Sequence, residues 1–147
     1  MKNAGAFVSM VLAIGLLAAQ PAIAQEKAYK EGSVWSIALI KVKPGMFDQY
    51  MRDLSATRKP ILEEGKKQGL ILSHRMLSGN SANRDDFNMI LLVEYKDWAA
   101  FDGLSAKFEA IGNRVIGGEE KQVQLMVKRA DMREIFGGKN MQEYHFK

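Results

Sequence analysis

Two periodicities alternate along this chain, and the places where one gives way to the other mark its elements. Residues 34–42 are rich in β-branched, aromatic and aliphatic side chains and end at Pro44-Gly45, which predicts a strand closed by a tight turn. Phe47, Tyr50, Met51 and Leu54 then recur at helical spacing, so a helix from Met46 should lay one apolar face on the sheet. Pro60 interrupts it. Because proline is tolerated in a first helical turn but not in an interior, the pattern predicts a break near Lys59 and a second helical piece over 61–68, stopped at Gly69.

From Leu70 the period falls to two. Leu70, Leu72, His74 and Met76 share one face of a second strand, and Ile71, Ser73, Arg75 and Leu77 share the other. The polar stretch 78–86 leads to a third strand over 87–95, a hairpin arrangement. Asp97 is a helix cap before Trp98, Phe101, Leu104, Phe108 and Ile111, which predict a helix over 98–113. After Gly117-Gly118, Val123, Met126, Val127 and Ala130 repeat the helical spacing and predict a further helix over 119–130. Residues 132–136 supply a closing strand. A turn at Gly137-Gly138 and a short edge strand over 141–146 complete the reading.

The first 24 residues stand outside this pattern. Lys2, an apolar run over 7–19, Gln20-Pro21 and Ala22-Ile23-Ala24 form a secretory leader with its cleavage site at Ala24/Gln25, too short to span a bilayer. The expectation is a periplasmic or secreted protein with no membrane attachment after cleavage, a lead-in over 25–33, and a single domain over 34–147. Loss of the leader takes the formal charge only from +4 to +3. Such mild basicity, without a basic stripe interleaved with aromatics, gives no reason to expect a nucleic-acid partner. The chain has no cysteine, so thiol nucleophiles, thiolate metal sites and disulfides are excluded and the core alone must hold the domain. With two histidines far apart in sequence, no metal site is expected either.

Lys41-Val42-Lys43-Pro44-Gly45 with Phe47 and Tyr50, and the later run from Leu92 to Phe101, resemble the dimeric α+β barrel superfamily, which includes antibiotic-biosynthesis-monooxygenase-like, NIPSNAP-like and EthD-like proteins. The resemblance implies an α+β fold: a ferredoxin-like βαββαβ protomer, here with an extra C-terminal helix, forming a homodimeric barrel. Activities in that superfamily are diverse, so the fold does not choose a reaction. The first expectation is an exported binder of a small apolar or aromatic molecule, without catalysis or cofactor. The alternatives are a cofactor-independent monooxygenase or isomerase acting on an aromatic or quinone-like substrate, and a haem-binding protein.

Candidate residues follow from face and chemistry. His74 shares a face with apolar neighbours and could act as base or haem ligand; Glu94 could meet it across the hairpin and raise its basicity. Asn88 shares the strand face of Glu94. Trp35 and Ser36 open the first strand on opposite faces, so one of them should border the same space. Arg58, Arg75 and Arg133 are candidate clamps for an anion, and Arg75 shares its face with Ser73. The ligand-binding set is therefore Trp35, Ser36, Arg75 and Asn88, with His74 and Glu94 as the catalytic pair.

Overall fold

A computed structural model describes residues 26–147, so the expected leader lies outside the described residues. Strand β1 (Tyr29–Val42) leads into α1 (Phe47–Ala56) and α2 (Arg58–Lys67), then β2 (Ser73–Ser78) and β3 (Met89–Tyr95). A short 3-10 turn at Trp98–Phe101 precedes α3 (Leu104–Val115), α4 (Glu119–Ala130) and β4 (Arg133–Phe146). The strands form one antiparallel sheet in the order β2-β3-β1-β4, which with helices on one face is the ferredoxin-like arrangement. No helix of the described residues is long and apolar enough to cross a membrane.

Several boundaries differ from the pattern, each for a local reason. β1 begins at Tyr29, so most of the stretch read as lead-in is strand: Tyr29, Lys30 and Glu31 pair with Phe146, His145 and Tyr144 in a two-stranded ribbon that runs past the other strands. Gly137-Gly138 does not turn the chain. Gly137, at φ 144°, sits opposite Leu39 where the β1–β4 register shifts, and β4 continues through a bulge. At Gly138 a Cβ would lie 2.8 Å from the Ile37 carbonyl oxygen, so this strand crossing admits only glycine. Asp97 caps as expected, accepting from the Ala100 amide at 3.1 Å, but Gly103, at φ 64°, splits the long helix into the 3-10 turn and α3.

Alternation on β1 and β3 sorts residues to the two sheet faces. Val34, Ile40 and Val42 on β1, with Met89, Leu91, Val93 and Tyr95 on β3, are buried beneath the helices. They form two clusters. One joins Ile40, Val42, Met89 and Leu91 to Tyr50, Leu54 and Met132; the other joins Val34, Val93 and Tyr95 to Leu62 and Ile71. Between Val34 and Ile40 the helix-facing positions of β1 are Ser36 and Ala38. Two short side chains in mid-strand leave the space between the clusters unfilled.

The opposite face carries Trp35, Ile37, Leu39, Ile90 and Leu92, aligned by the pairings Trp35–Glu94, Ile37–Leu92 and Leu39–Ile90. No element of the described protomer covers this face. Helix α4 forms over the expected span, but its apolar stripe points outward, with Val123, Met126 and Val127 all exposed. Its inward side is anchored instead by Arg129, whose Nε donates to Asp53 of α1 at 2.5 Å.

Candidate functional site

The unfilled space between the two clusters is a cavity of about 370 Å³, within the range of small-molecule sites. Ser36 and Ala38 form its floor, Leu91, Val93 and Phe108 its apolar walls, and Tyr50 and Tyr95 stand at its sides. Three guanidinium groups enter it from three elements: Arg58 from the first residue of α2, Arg129 from the last turn of α4 and Arg133 from the first residue of β4. The chain breaks at Thr57 between α1 and α2, as Pro60 requires, and this break aims Arg58 inward.

These cations are not equivalent. Arg129 is neutralised: Asp53 accepts from its Nε, and Thr57 Oγ1 accepts from its Nη2 while donating to the Asp53 carbonyl at 2.7 Å. Arg58 forms no ion pair among the described residues. Burial holds its guanidinium below the ordinary arginine range, with Arg129 and Arg133 pushing in the same direction and only the tyrosines Tyr50 and Tyr95 opposing. It also stands at the positive end of the α2 dipole, where a cation is disfavoured. Arg133 lies 5.7 Å from the Tyr50 ring centroid, and its Nε is buried without an acceptor. An orphaned buried donor is costly, so both arginines are arranged for an acceptor that the chain does not supply.

The two phenols stay protonated. Burial raises the pKa of Tyr50, against Arg133 and Arg58, and burial likewise raises that of Tyr95, against Arg58. Both hydroxyls are therefore neutral donors at physiological pH. The cavity offers two uncompensated guanidinium groups, two phenols and an aromatic or aliphatic wall, which is the chemistry for holding an anion with an apolar body.

His74 and Glu94 do not meet. The β2–β3 register pairs His74 with Val93 and Ser73 with Glu94, so the two side chains leave opposite faces of the sheet. His74 faces the helices and its Nε2 is 3.0 Å from Glu63 Oε1 on α2; this hydrogen bond is the main cause that lowers the Glu63 pKa. Glu94 lies on the open face, accepting from Ser73 Oγ and, at 2.8 Å, from Ser33 Oγ. Ser33 Oγ also stands 3.0 Å from Glu143, and its single proton can serve only one carboxylate at a time.

Of the expected ligand-binding residues, Ser36 alone lines the large cavity. Trp35 is on the open face with Arg75, whose guanidinium carbon is 5.3 Å from the indole centroid, so Arg75 stacks rather than clamps. Asn88 is occupied by backbone. Its Oδ1 accepts from the Val42 amide at 2.8 Å and its Nδ2 donates to the Val42 carbonyl at 3.0 Å, extending the β1–β3 ladder by one side chain. Arg129 carries no signal in the sequence, because the spacing of Asp53, Thr57 and Arg129 across two helices is not local and the apolar stripe of α4 lies on its other face.

Haem finds no fit. Nε2 of His74 is engaged by Glu63, and the space beside it is a separate cavity of about 320 Å³ enclosed by α1, α2 and β2. No group of three or more potential metal ligands occurs among the described residues.

No family model matches the chain, and no curated protein matches it. Solved structures do. HapK from Hahella chejuensis is similar at 10% identity and TM-score 0.50, over 75% of this chain and 91% of that one. A NIPSNAP family protein of unknown function from Agrobacterium tumefaciens matches at 13% identity and TM-score 0.45, over 79% of this chain and 90% of that one. A protein described as dimeric and ferredoxin-like, from an uncultured marine organism, matches at 15% identity and TM-score 0.45, over 80% of this chain and 96% of that one. At such identities the likeness concerns architecture: the chain has a ferredoxin-like α+β fold.

Proposed function

We propose that this protein is an exported homodimer that binds a small organic anion, with the carboxylate or equivalent group held by Arg58 and Arg133 and the apolar body against Phe108 and Val93. The observation that carries this reading is the buried, acceptor-less Nε of Arg133 beside an unpaired Arg58, in a cavity whose one carboxylate partner, Asp53, is spent on Arg129. Binding is favoured over acid–base catalysis because the His74–Glu94 pair is not formed. The leader pattern of residues 1–24 supports export.

The homodimer is supported by the open sheet face, where Trp35, Ile37, Leu39, Ile90 and Leu92 form an apolar surface of the kind a second sheet covers. Sedimentation should give a dimer at micromolar concentration, dissociated by Leu92→Glu; a wild-type monomer would contradict it. Anion binding is tested by calorimetric titration with benzoate and benzamide, which share a shape and differ in charge. Saturable benzoate binding, one per protomer and at least about tenfold tighter than benzamide, supports the reading. Equal affinities, or none for either, would overturn it.

A further inference from the structure

The cavity beside His74 borders the anion site. Both cavities are lined by Leu54, Arg58 and Leu62, so these three side chains stand at the junction between them. Beyond Arg58 the second space of about 320 Å³ changes character: Met51 and Met76 join the two leucines as walls. Lys59 and Arg75 also line it, and both are exposed to solvent, Arg75 with its guanidinium over the Trp35 ring. His74 is held by Glu63, and Ser55 is exposed. The first cavity thus holds the guanidinium groups that are withdrawn from water, and the second sets flexible apolar side chains beside cations that are exposed to solvent. Methionine suits an occupant of variable shape, because its unbranched side chain adapts to what lies against it.

From this junction we infer that the ligand is an amphiphile: a linear medium-chain carboxylate whose head group sits on Arg58 and Arg133 in the first cavity and whose alkyl chain passes between Leu54 and Leu62 into the second. The inference rests on the anion-binding reading above and adds a class of ligand to it. A compact aromatic acid would occupy the first cavity alone. A linear acid fills both, with its charge on Arg58 and Arg133 and its methylenes against Leu54, Leu62, Met51 and Met76.

The test is calorimetric titration of the mature protein with butanoate, hexanoate, octanoate and decanoate. If the chain enters the second cavity, affinity should rise about fourfold per added methylene until that cavity is filled. Ser55→Trp, at an exposed position bordering only the second cavity, should leave butanoate affinity unchanged and remove most of the gain from butanoate to octanoate. Met76→Gln, also at an exposed position, should lower the gain without abolishing it. Benzoate or butanoate binding with no dependence on chain length, or a length dependence untouched by both substitutions, overturns the amphiphile and leaves the anion site standing. Failure of every carboxylate, whatever its length, overturns both.

Discussion

Replacing Arg58 by methionine should make the ligand-free protein more stable and the ligand-bound protein less so. The guanidinium is mostly withdrawn from water, has no carboxylate partner, and is crowded by Arg129 and Arg133. Removing an unpaired, partly buried charge while keeping a side chain of similar length and apolar stem relieves desolvation and repulsion. Substitutions of this kind are neutral to stabilising by up to several kcal/mol. Because Arg58 keeps some contact with solvent and with Tyr50 and Tyr95, the low end applies, about 1 kcal/mol. For a domain of this size that is a rise in melting temperature of about 3–5 °C. The same substitution removes a charge-assisted contact of about 2–3 kcal/mol to a bound carboxylate, roughly 30- to 150-fold in affinity. Thermal melts followed by circular dichroism, with and without saturating benzoate, separate the two effects. The wild type should start lower and climb with benzoate, and Arg58→Met should start higher and climb little. If Arg58→Met melts several degrees below wild type while benzoate lifts both equally, the guanidinium is part of the scaffold and the reasoning fails.

Carboxylate affinity should be flat from about pH 6 to pH 9, because Arg58 stays cationic there and burial moves Tyr50 and Tyr95 further above neutrality; it should fall below about pH 5 as the ligand itself is protonated. A binding midpoint near pH 6.5 in the same titration would implicate a histidine that this account leaves out. Asn88→Ala should lower stability by about 1–3 kcal/mol in a urea melt, since both backbone groups of Val42 lose their side-chain partner, while benzoate affinity stays within about twofold. His74→Ala should leave a haemin titration spectrum unchanged from wild type, and a Soret shift lost in the variant would restore the haem reading.

Element types were legible because each rests on local physics. The run to Pro44-Gly45, the break at Pro60 and the α4 span over 119–130 follow from periodicity and backbone chemistry, and the structure shows each of them. The faces were legible on β3, where Met89, Leu91, Val93 and Tyr95 read as the helix-facing set and are buried. Register was not. His74 and Glu94 could be paired on paper because nothing in the long polar loop between β2 and β3 fixes the alignment, and a shift of one residue moves a whole face to the other side. The anion site was half legible. Arg58 and Arg133 stood out as candidates, but their meeting depends on Ser36 and Ala38 leaving a gap in β1, and on Arg129 absorbing Asp53 from a helix more than seventy residues away in sequence. Both are tertiary facts.

The most direct test is a crystal structure of the protein with 4-bromobenzoate, with the bromine located by its anomalous signal. One molecule per protomer is expected between the sheet and the helices, its carboxylate within hydrogen-bond distance of Arg58 and Arg133 and its ring beside Phe108. A bromine found only on the open sheet face, or an empty cavity at saturating ligand, would contradict it.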